Sequence, residues 1–381
     1  MNKTQPSKAL VPAIRFKGFT DAWEQRKLKN VLKVNSGRDY KDLKPGNIPV
    51  YGTGGFMLNV NDQLSSDDAI GIGRKGTIDR PQFLRAPFWT VDTLFFMTSE
   101  GNNSLRFLYA WCQLVQWKRY DESTGVPSLS KGTLNKIPLN VPSLSEQNSI
   151  GEFFNILDNL IASNRRKGKI LKDLKKALLQ KMFVSGKETI PDIRFSGYTD
   201  AWEQRKLKDV ADYRNGKAHE KNVTENGSYV IVNSKFVSTN GRVKKYSDKQ
   251  IAPLYKGEIS FVLSDVPNGR AIARTFQIDK TGIYSLNQRI AGIKVHKNTD
   301  MNFLNYLMNR NSYFLKFDNG VGQTNLSKSE VVNFPSYYPT LDEQEKIGLT
   351  LTYLDFIIAS NQRKGKILRN LKKALLQRMF V

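Results

Sequence analysis

Gly71-Ile-Gly-Arg-Lys-Gly76 has the spacing G-x-G-x-x-G of a dinucleotide-binding turn, and Asp92 stands about 20 residues on, where a ribose-binding acid would be. That chemistry needs the glycines to open a helix whose N-terminus holds a pyrophosphate. Pro81 and Pro87 in the TIDRPQFLRAPFW that follows block such a helix. The stretch is therefore predicted to be strand, turn, strand, with Arg74 and Lys75 on the turn. No P-loop is present, since no Gly-Lys-Ser/Thr follows four residues after a glycine. One cysteine, Cys112 in LYAWCQLV, cannot form an intrachain disulfide or a thiolate cluster and reads as a small buried residue. Two histidines, His219 and His296, are too few for the usual zinc or iron ligand sets, and no Ser-His-Asp set can be argued from them. An Asn-Pro-Pro-aromatic tetrapeptide and a paired-carboxylate cluster are also missing. The chain is expected to hold no catalytic residue, no metal and no cofactor of its own.

What the residues do carry is positive charge. Fifty-nine Lys and Arg stand against 35 Asp and Glu, a formal charge of +24. Such an excess repels itself in a folded chain and is normally neutralised by a polyanion. Nucleic acid fits best, because each phosphate contact releases counterions. A membrane fits less well: the basic residues are dispersed, and no apolar run reaches the roughly 18–20 residues that span a bilayer. The N-terminus MNKTQPSKAL lacks an apolar signal core, so a cytoplasmic protein is expected. Candidate DNA contacts sit in polar-basic loops. They are Arg74, Lys75 and Thr77 in GRKGT, and Ser128, Ser130 and Lys131 in SLSKGT. In the second half they are Asn233, Ser234 and Lys235 in VNSKF, then Asn268 and Arg270 in SDVPNGRAIAR. Gln323, Thr324, Ser327 and Lys328 in GVGQTNLSK complete the set. Amides, hydroxyls and cations are the groups that read base edges and hold phosphates. Charge alone also fits the solvated surface of some other assembly protein.

The elements that must position these loops come in duplicate. From Arg15 to Val31, 14 of 17 positions match Arg194 to Val210. From Ile161 to Val184, 20 of 24 match Ile358 to Val381. The blocks between, Leu32–Pro142 and Ala211–Pro339, have 111 and 129 residues and share little beyond their last stretch. Duplicated ends around divergent middles imply one scaffold used twice to present two different surfaces. Within the blocks, NIPVYG, DAIGIG, DTLFFMTS, SYVIVNS, GEISFVLS and RIAGIKVH read as strands, and SLRFLYAWCQLV and NFLNYLMNR as helices.

The repeated C-terminal segments read as long helices. Ser143-Leu-Ser-Glu146 and Thr340-Leu-Asp-Glu343 have capping-box spacing after a proline. Apolar residues then recur at steps of three and four, among them Leu157, Leu160, Leu171, Leu174 and Leu178, and in the second copy Leu354, Ile357, Leu368, Leu371 and Leu375. That spacing describes a coiled-coil seam, which the sustained heptad and the near-identity of the two copies favour over an amphipathic helix packed on its own domain. An antiparallel pair would put Asn164 beside Asn361 on the seam and bring Val381 near the start of the first recognition domain. Gly168 and Gly365 would either permit close approach of the backbones or break the helices. The basic run from Arg165 to Lys181 reads as a contact surface or as a solvated helix face.

Two openings of the form RF-x-G-F/Y-TDAWEQRKLK, two blocks ending in LSK and then a proline, and two EQ-led helices together resemble the specificity subunit of type I restriction–modification systems. The resemblance covers essentially the whole chain. GRKGTI is similar to the strand-turn midway through many recognition domains of that family, whereas the second block has VLSDVPNGRAIA there. The family fold is α+β, with two tandem target-recognition domains separated by two long conserved helices that pair as an antiparallel coiled coil about a pseudo-two-fold. Here that implies recognition domains at 1–142 and 185–339 and helices at 143–184 and 340–381. Each domain would read one half of a bipartite, asymmetric double-stranded DNA target. The helices would set the spacer and dock two methyltransferase subunits, which use S-adenosylmethionine to methylate adenine. Two ATP-dependent restriction subunits would complete the restricting form, so that S-adenosylmethionine, ATP and Mg belong to partners. A free-standing DNA-binding regulator and a standalone DNA-modifying enzyme are the other classes in view. Co-purification with a methyltransferase separates the first, and labelled S-adenosylmethionine with pure chain tests the second.

Overall fold

The computed structural model describes residues 10–184, 186, 188–266 and 269–381. The chain divides into two compact units, one of Met1–Lys167 with Asn361–Val381 and the other of Gly168–Ser360. Both crossings between the units fall inside long helices, Leu144–Lys181 and Leu341–Met379. Each unit thus contains one variable block and part of each helix, rather than ending where its helix begins. Gly168 and Gly365 lie within continuous helix and break neither.

In the first unit, Leu32–Ser36, Leu94–Ser99, Ala69–Gly73 and Gln82–Leu84 form an antiparallel sheet in that order. A smaller sheet joins Gly55–Val60, Pro45–Gly52 and Trp89–Thr90. Ala69–Gly73 is buried throughout, which explains its unbroken apolar run. In the second unit the corresponding antiparallel sheet runs Ala211–Asn215, Ile290–Val295, Ile259–Val262, Thr275–Gln277. A second sheet joins Val223–Thr224, Tyr246–Ser247, Tyr229–Val232 and Tyr284–Leu286. The expected short helices are Leu105–Cys112 and Met301–Met308.

The repeated openings have a mechanical role. Glu24–Lys27 pairs with Pro138–Val141, and Glu203–Lys206 pairs in the same register with Pro335–Tyr338. The same EQRK strand therefore clasps each block where it begins and ends. Beside it Trp23 and Trp202 are buried in their units' cores.

Both readings of the long helices hold, on different residues. In the first unit, Ile150, Phe154 and Leu157 share a core with Trp23 and Phe107 and, from the second long helix, with Leu368, Leu375, Leu376 and Met379. In the second unit, Ile347, Leu351 and Leu354 share a core with Phe303 and Leu178. Leu171 and Ile357 are half-buried. Leu160, Leu174 and Leu371 are 50%, 46% and 47% exposed and do not lie on the seam. A helix of 3.6 residues per turn drifts off a 3.5-residue line, and here part of the apolar sequence is turned toward the domain or outward. The capping boxes also differ from expectation. The Glu146 N–H reaches Ser143 Oγ at 3.5 Å, but the Glu146 carboxylate bonds elsewhere.

Candidate nucleic-acid interface

The carboxylates of Glu146 and Glu343 accept two-pronged hydrogen bonds from the opening-motif arginines. Arg15 reaches Glu146 at 2.6 and 2.7 Å, and Arg194 reaches Glu343 at 2.8 and 2.9 Å. Next door, Gln147 donates to the Pro142 carbonyl and accepts from the Ser104 N–H, which begins the short helix of that unit. Gln344 repeats this with Pro339 and Asp300. The repeated Arg, Glu and Gln thus tie opening, block and long helix into one rigid frame. Lys372 adds a tie to Asp158 and Gln113 in the first unit, and Lys175 bonds Asp355 at 2.6 Å in the second. Tyr306, whose hydroxyl donates to Asp355 at 2.8 Å, has its pKa raised by burial.

The first unit holds a cleft of about 620 Å³ lined by Ser36, Arg74, Lys75, Asp92, Thr93, Phe95, Glu122, Ser128, Leu129, Ser130 and Lys131. Arg74 and Lys75 belong to the GRKG turn, which opens no helix. A Cβ on Gly73 would lie 2.1 Å from the Thr77 carbonyl oxygen, and Gly76 has a φ of +91°, so both positions require glycine. The Arg74 N–H donates to Thr93 O at 2.8 Å, and Arg74 O accepts from Leu129 N at 2.9 Å. Gly76 N–H donates to Pro127 O at 2.8 Å. Three stretches distant in sequence are thereby stitched together. Five predicted residues, Arg74, Lys75, Ser128, Ser130 and Lys131, converge there; Thr77 does not line the cleft. Ser130 serves as the cap of the helix Lys131–Lys136 and donates to Glu122 at 2.9 Å. Among the described residues, the side chains of Arg74, Lys75 and Lys131 make no hydrogen bond or ion pair, so their donors remain available.

The second unit is built differently, and several predicted residues have structural work there. Asn233 caps the helix Ser234–Ser238, accepting from Phe236 N at 2.9 Å. Ser327 caps Lys328–Val332 in a full capping box with Glu330. Thr324 is buried and donates to Asp318 at 2.9 Å. Polar side chains at caps and in strands are satisfied by the backbone before any ligand arrives. Ser234 and Gln323 meet at Ser264, at 3.3 Å to its carbonyl and 2.6 Å to its hydroxyl. Lys235 and Arg270 are exposed, Lys328 lies 5.8 Å over the Tyr213 ring, and Asn268 is outside the described residues. Arg310 has a left-handed φ of 57° and donates to the Ile272 carbonyl. Burial, then the charge of Arg274, lowers its pKa. It follows a helix as an ordinary C-terminal residue, so no pattern marks it.

Cys112 and His219 serve the cores of their units. Cys112 is buried, which raises its thiol pKa. His219 is buried between Lys217 O and Ser285 Oγ, 2.7 Å from each. No helix among the described residues is long and apolar enough to cross a membrane.

Comparison with known proteins agrees with this architecture. The family model described as type I restriction modification DNA specificity domain matches residues 20–173 and again 199–369. A curated relative, the type I restriction enzyme MjaVIII specificity subunit of Methanocaldococcus jannaschii, is 22% identical over 292 residues. That alignment covers 68% of this chain and 65% of the relative, so the chain spans just under two thirds of its length. The crystal structure of a type I restriction-modification system S subunit from M. genitalium overlays with a TM-score of 0.70 at 13% identity, covering 97% of this chain and 99% of that one. A chain from a structural study of complex assembly and conformational transition of the type I R-M system overlays at 0.52 and 13% identity, covering 98% and 99%. At such identities the structural likeness is one of fold. The family model, matching once in each half and over most of the sequence, carries the assignment: the chain belongs to the type I restriction modification DNA specificity family.

Proposed function

We propose that this chain is the DNA-recognition subunit of a type I restriction–modification complex, each unit reading one half of a bipartite double-stranded target. The observation that carries the reading is the pairing of near-identical frames with different surfaces. The Arg–Glu–Gln frame and the EQRK clasp recur in both units, while the blocks they hold differ in sequence and the first carries a cleft lined by Arg74, Lys75 and Lys131. In this reading Arg74, Lys75 and Lys131 contact DNA in the first unit, and Lys235, Arg270, Gln323 and Lys328 in the second.

Two methyltransferase subunits would dock on the helices, one per half. Support comes from exposed residues that are the same in both copies, such as Lys169 and Lys366, Ile170 and Ile367, and Leu174 and Leu371. Folding does not demand identity at exposed positions, but a partner present in two copies does. The chain would supply the address, and its partners would bring S-adenosylmethionine, ATP and Mg. Mapping methylated adenines genome-wide with and without this gene tests the proposal. Loss of methylation at one split motif is the expected result, and an unchanged methylation map would overturn it.

A further inference from the structure

We propose that the first unit's cleft reads a G·C base pair in the major groove, with Arg74 donating to guanine O6 and N7 and Asp92 accepting from the cytosine amino group. The inference rests on the DNA-recognition reading above and names the chemistry of its target.

Three cations line the cleft, and they are not equivalent. Lys75 and Lys131 are flexible point charges, suited to phosphates. Arg74 carries a planar fork that matches the two acceptors of guanine. Its backbone is pinned on both sides, to Thr93 and to Leu129. Its guanidinium carbon lies 5.9 Å over the Phe95 ring, and Phe95 is buried. A base reader needs that fixed starting position.

Asp92 supplies the second observation. It is exposed, lines the same cleft and makes no side-chain hydrogen bond or ion pair among the described residues. It stands next to Thr93, whose carbonyl takes the Arg74 N–H, yet it is not paired with the Arg74 guanidinium. A free carboxylate among cations repels phosphates and weakens binding. A carboxylate on a DNA-reading surface can accept a hydrogen bond from a base, and the donors on the major-groove edges are cytosine N4 and adenine N6. With Arg74 on guanine, the neighbouring donor of the same pair is cytosine N4.

The other acid that lines the cleft is already engaged. Glu122 accepts from Ser130 and Thr133. In the second unit, Asp265 accepts from the N–H groups of Val266, Ala271 and Ile272, which makes it a loop brace. The assignment therefore belongs to the first unit alone.

The experiment selects sequences from a pool of random-sequence duplex DNA with the full chain, as wild type, Arg74→Ala, Arg74→Lys and Asp92→Ala. Wild type should show a G·C preference at one position of one half-site. Arg74→Ala and Arg74→Lys should each weaken that preference by about 5- to 150-fold, as expected for losing a two-pronged base contact, and leave the other half-site intact. Asp92→Ala should weaken the same preference while raising affinity for unselected duplex. If the Arg74 variants bind all sequences more weakly and keep every preference, Arg74 is a phosphate contact and the proposal fails, with the recognition reading intact. If Asp92→Ala keeps the preference, the carboxylate half fails. Wild type that enriches no sequence at all would instead remove the recognition reading itself.

Discussion

The side-chain amide of Asn164 donates to the main-chain carbonyl of Asn361, and the amide of Asn361 donates back to the carbonyl of Asn164, both at 3.1 Å. Within the first unit this reciprocal pair fixes the antiparallel register of the two helices. A Cβ on Gly365 would lie 2.7 Å from the Asn164 amide nitrogen, so the glycine makes room for the bond. Close approach, and not helix breaking, is the role of this glycine.

That geometry predicts coupling between the two positions. Gly365→Ala should give little net change in the wild type, because about 1 kcal/mol of helix propensity is offset by displacing the Asn164 amide, itself contributing about 1 kcal/mol. In an Asn164→Ala background the bond is already gone. There Gly365→Ala should stabilise by up to about 1 kcal/mol. Denaturation midpoints of the four proteins check this, and strict additivity would reject the coupling.

The Arg15–Glu146 pair should be costly to halve. Glu146 is 1% exposed, so Arg15→Met leaves a buried carboxylate without its partner. The expected loss is about 3–5 kcal/mol. Removing both charges with Arg15→Met and Glu146→Leu should recover most of it. Urea denaturation that finds the double variant as unstable as the single one would contradict this account.

Asp300 begins the helix Met301–Met308, accepting from Phe303 N at 2.7 Å. Burial raises its pKa above the ordinary carboxylate value despite that bond and a second one from Asn302. The fold therefore disfavours the charged form, a penalty present above the raised pKa and absent below the ordinary value near 3.8. Asn caps helices as well as Asp does. Asp300→Asn should raise stability at neutral pH, and the gain should vanish as the medium is acidified below that ordinary value. Thermal unfolding at both pH values reads the difference.

Lys131, in contrast to Arg74, is expected to act on phosphates alone. Lys131→Ala should weaken binding of the assembled complex evenly across sequences and reduce the slope of log affinity against log salt by about 1. A changed sequence preference would move Lys131 to the reading surface.

Replacing Leu32–Pro142 by the equivalent block of a relative should change one half-site and spare the other. The exchanged block brings its own copy of the strand that occupies Pro138–Val141, and this strand should pair with the retained Glu24–Lys27 to close the clasp. Sequenced methylation sites would report the outcome, and a folded hybrid that altered both half-sites would count against modular reading.

Much of this was legible in the chain. Six apolar runs became strands because alternation and bounding turn residues are local signals. Asn164 and Asn361 could be paired because each occupies the same place in its repeat. Leu160, Leu174 and Leu371 could not be placed, since counting apolar steps does not tell which face meets the domain, the partner helix or solvent. Glu146 and Glu343 looked like caps because their arginine partners stand 131 and 149 residues away. Asn233, Ser327 and Thr324 have the composition of base-reading residues and the geometry of caps and buried ties. Composition does not distinguish the two uses. Asp92 was in view from the start, but only as part of a nucleotide motif that its flanking prolines ruled out.

Residues 361–381 belong to the first unit, where Leu376 and Met379 are buried beside Trp23, Phe380 stacks on Phe107, and Asn140 bonds the Val381 carbonyl at 3.1 Å. The second unit is a single continuous stretch, Gly168–Ser360. A ribosome therefore makes all of the second unit before it makes the pieces that finish the first. Domains of a nascent chain usually fold from the N-terminus onward, but here the order of completion is reversed. The unit begun first must wait with an open core while the unit begun second folds. During synthesis, proteases and chaperones should find residues 10–167 the more vulnerable half.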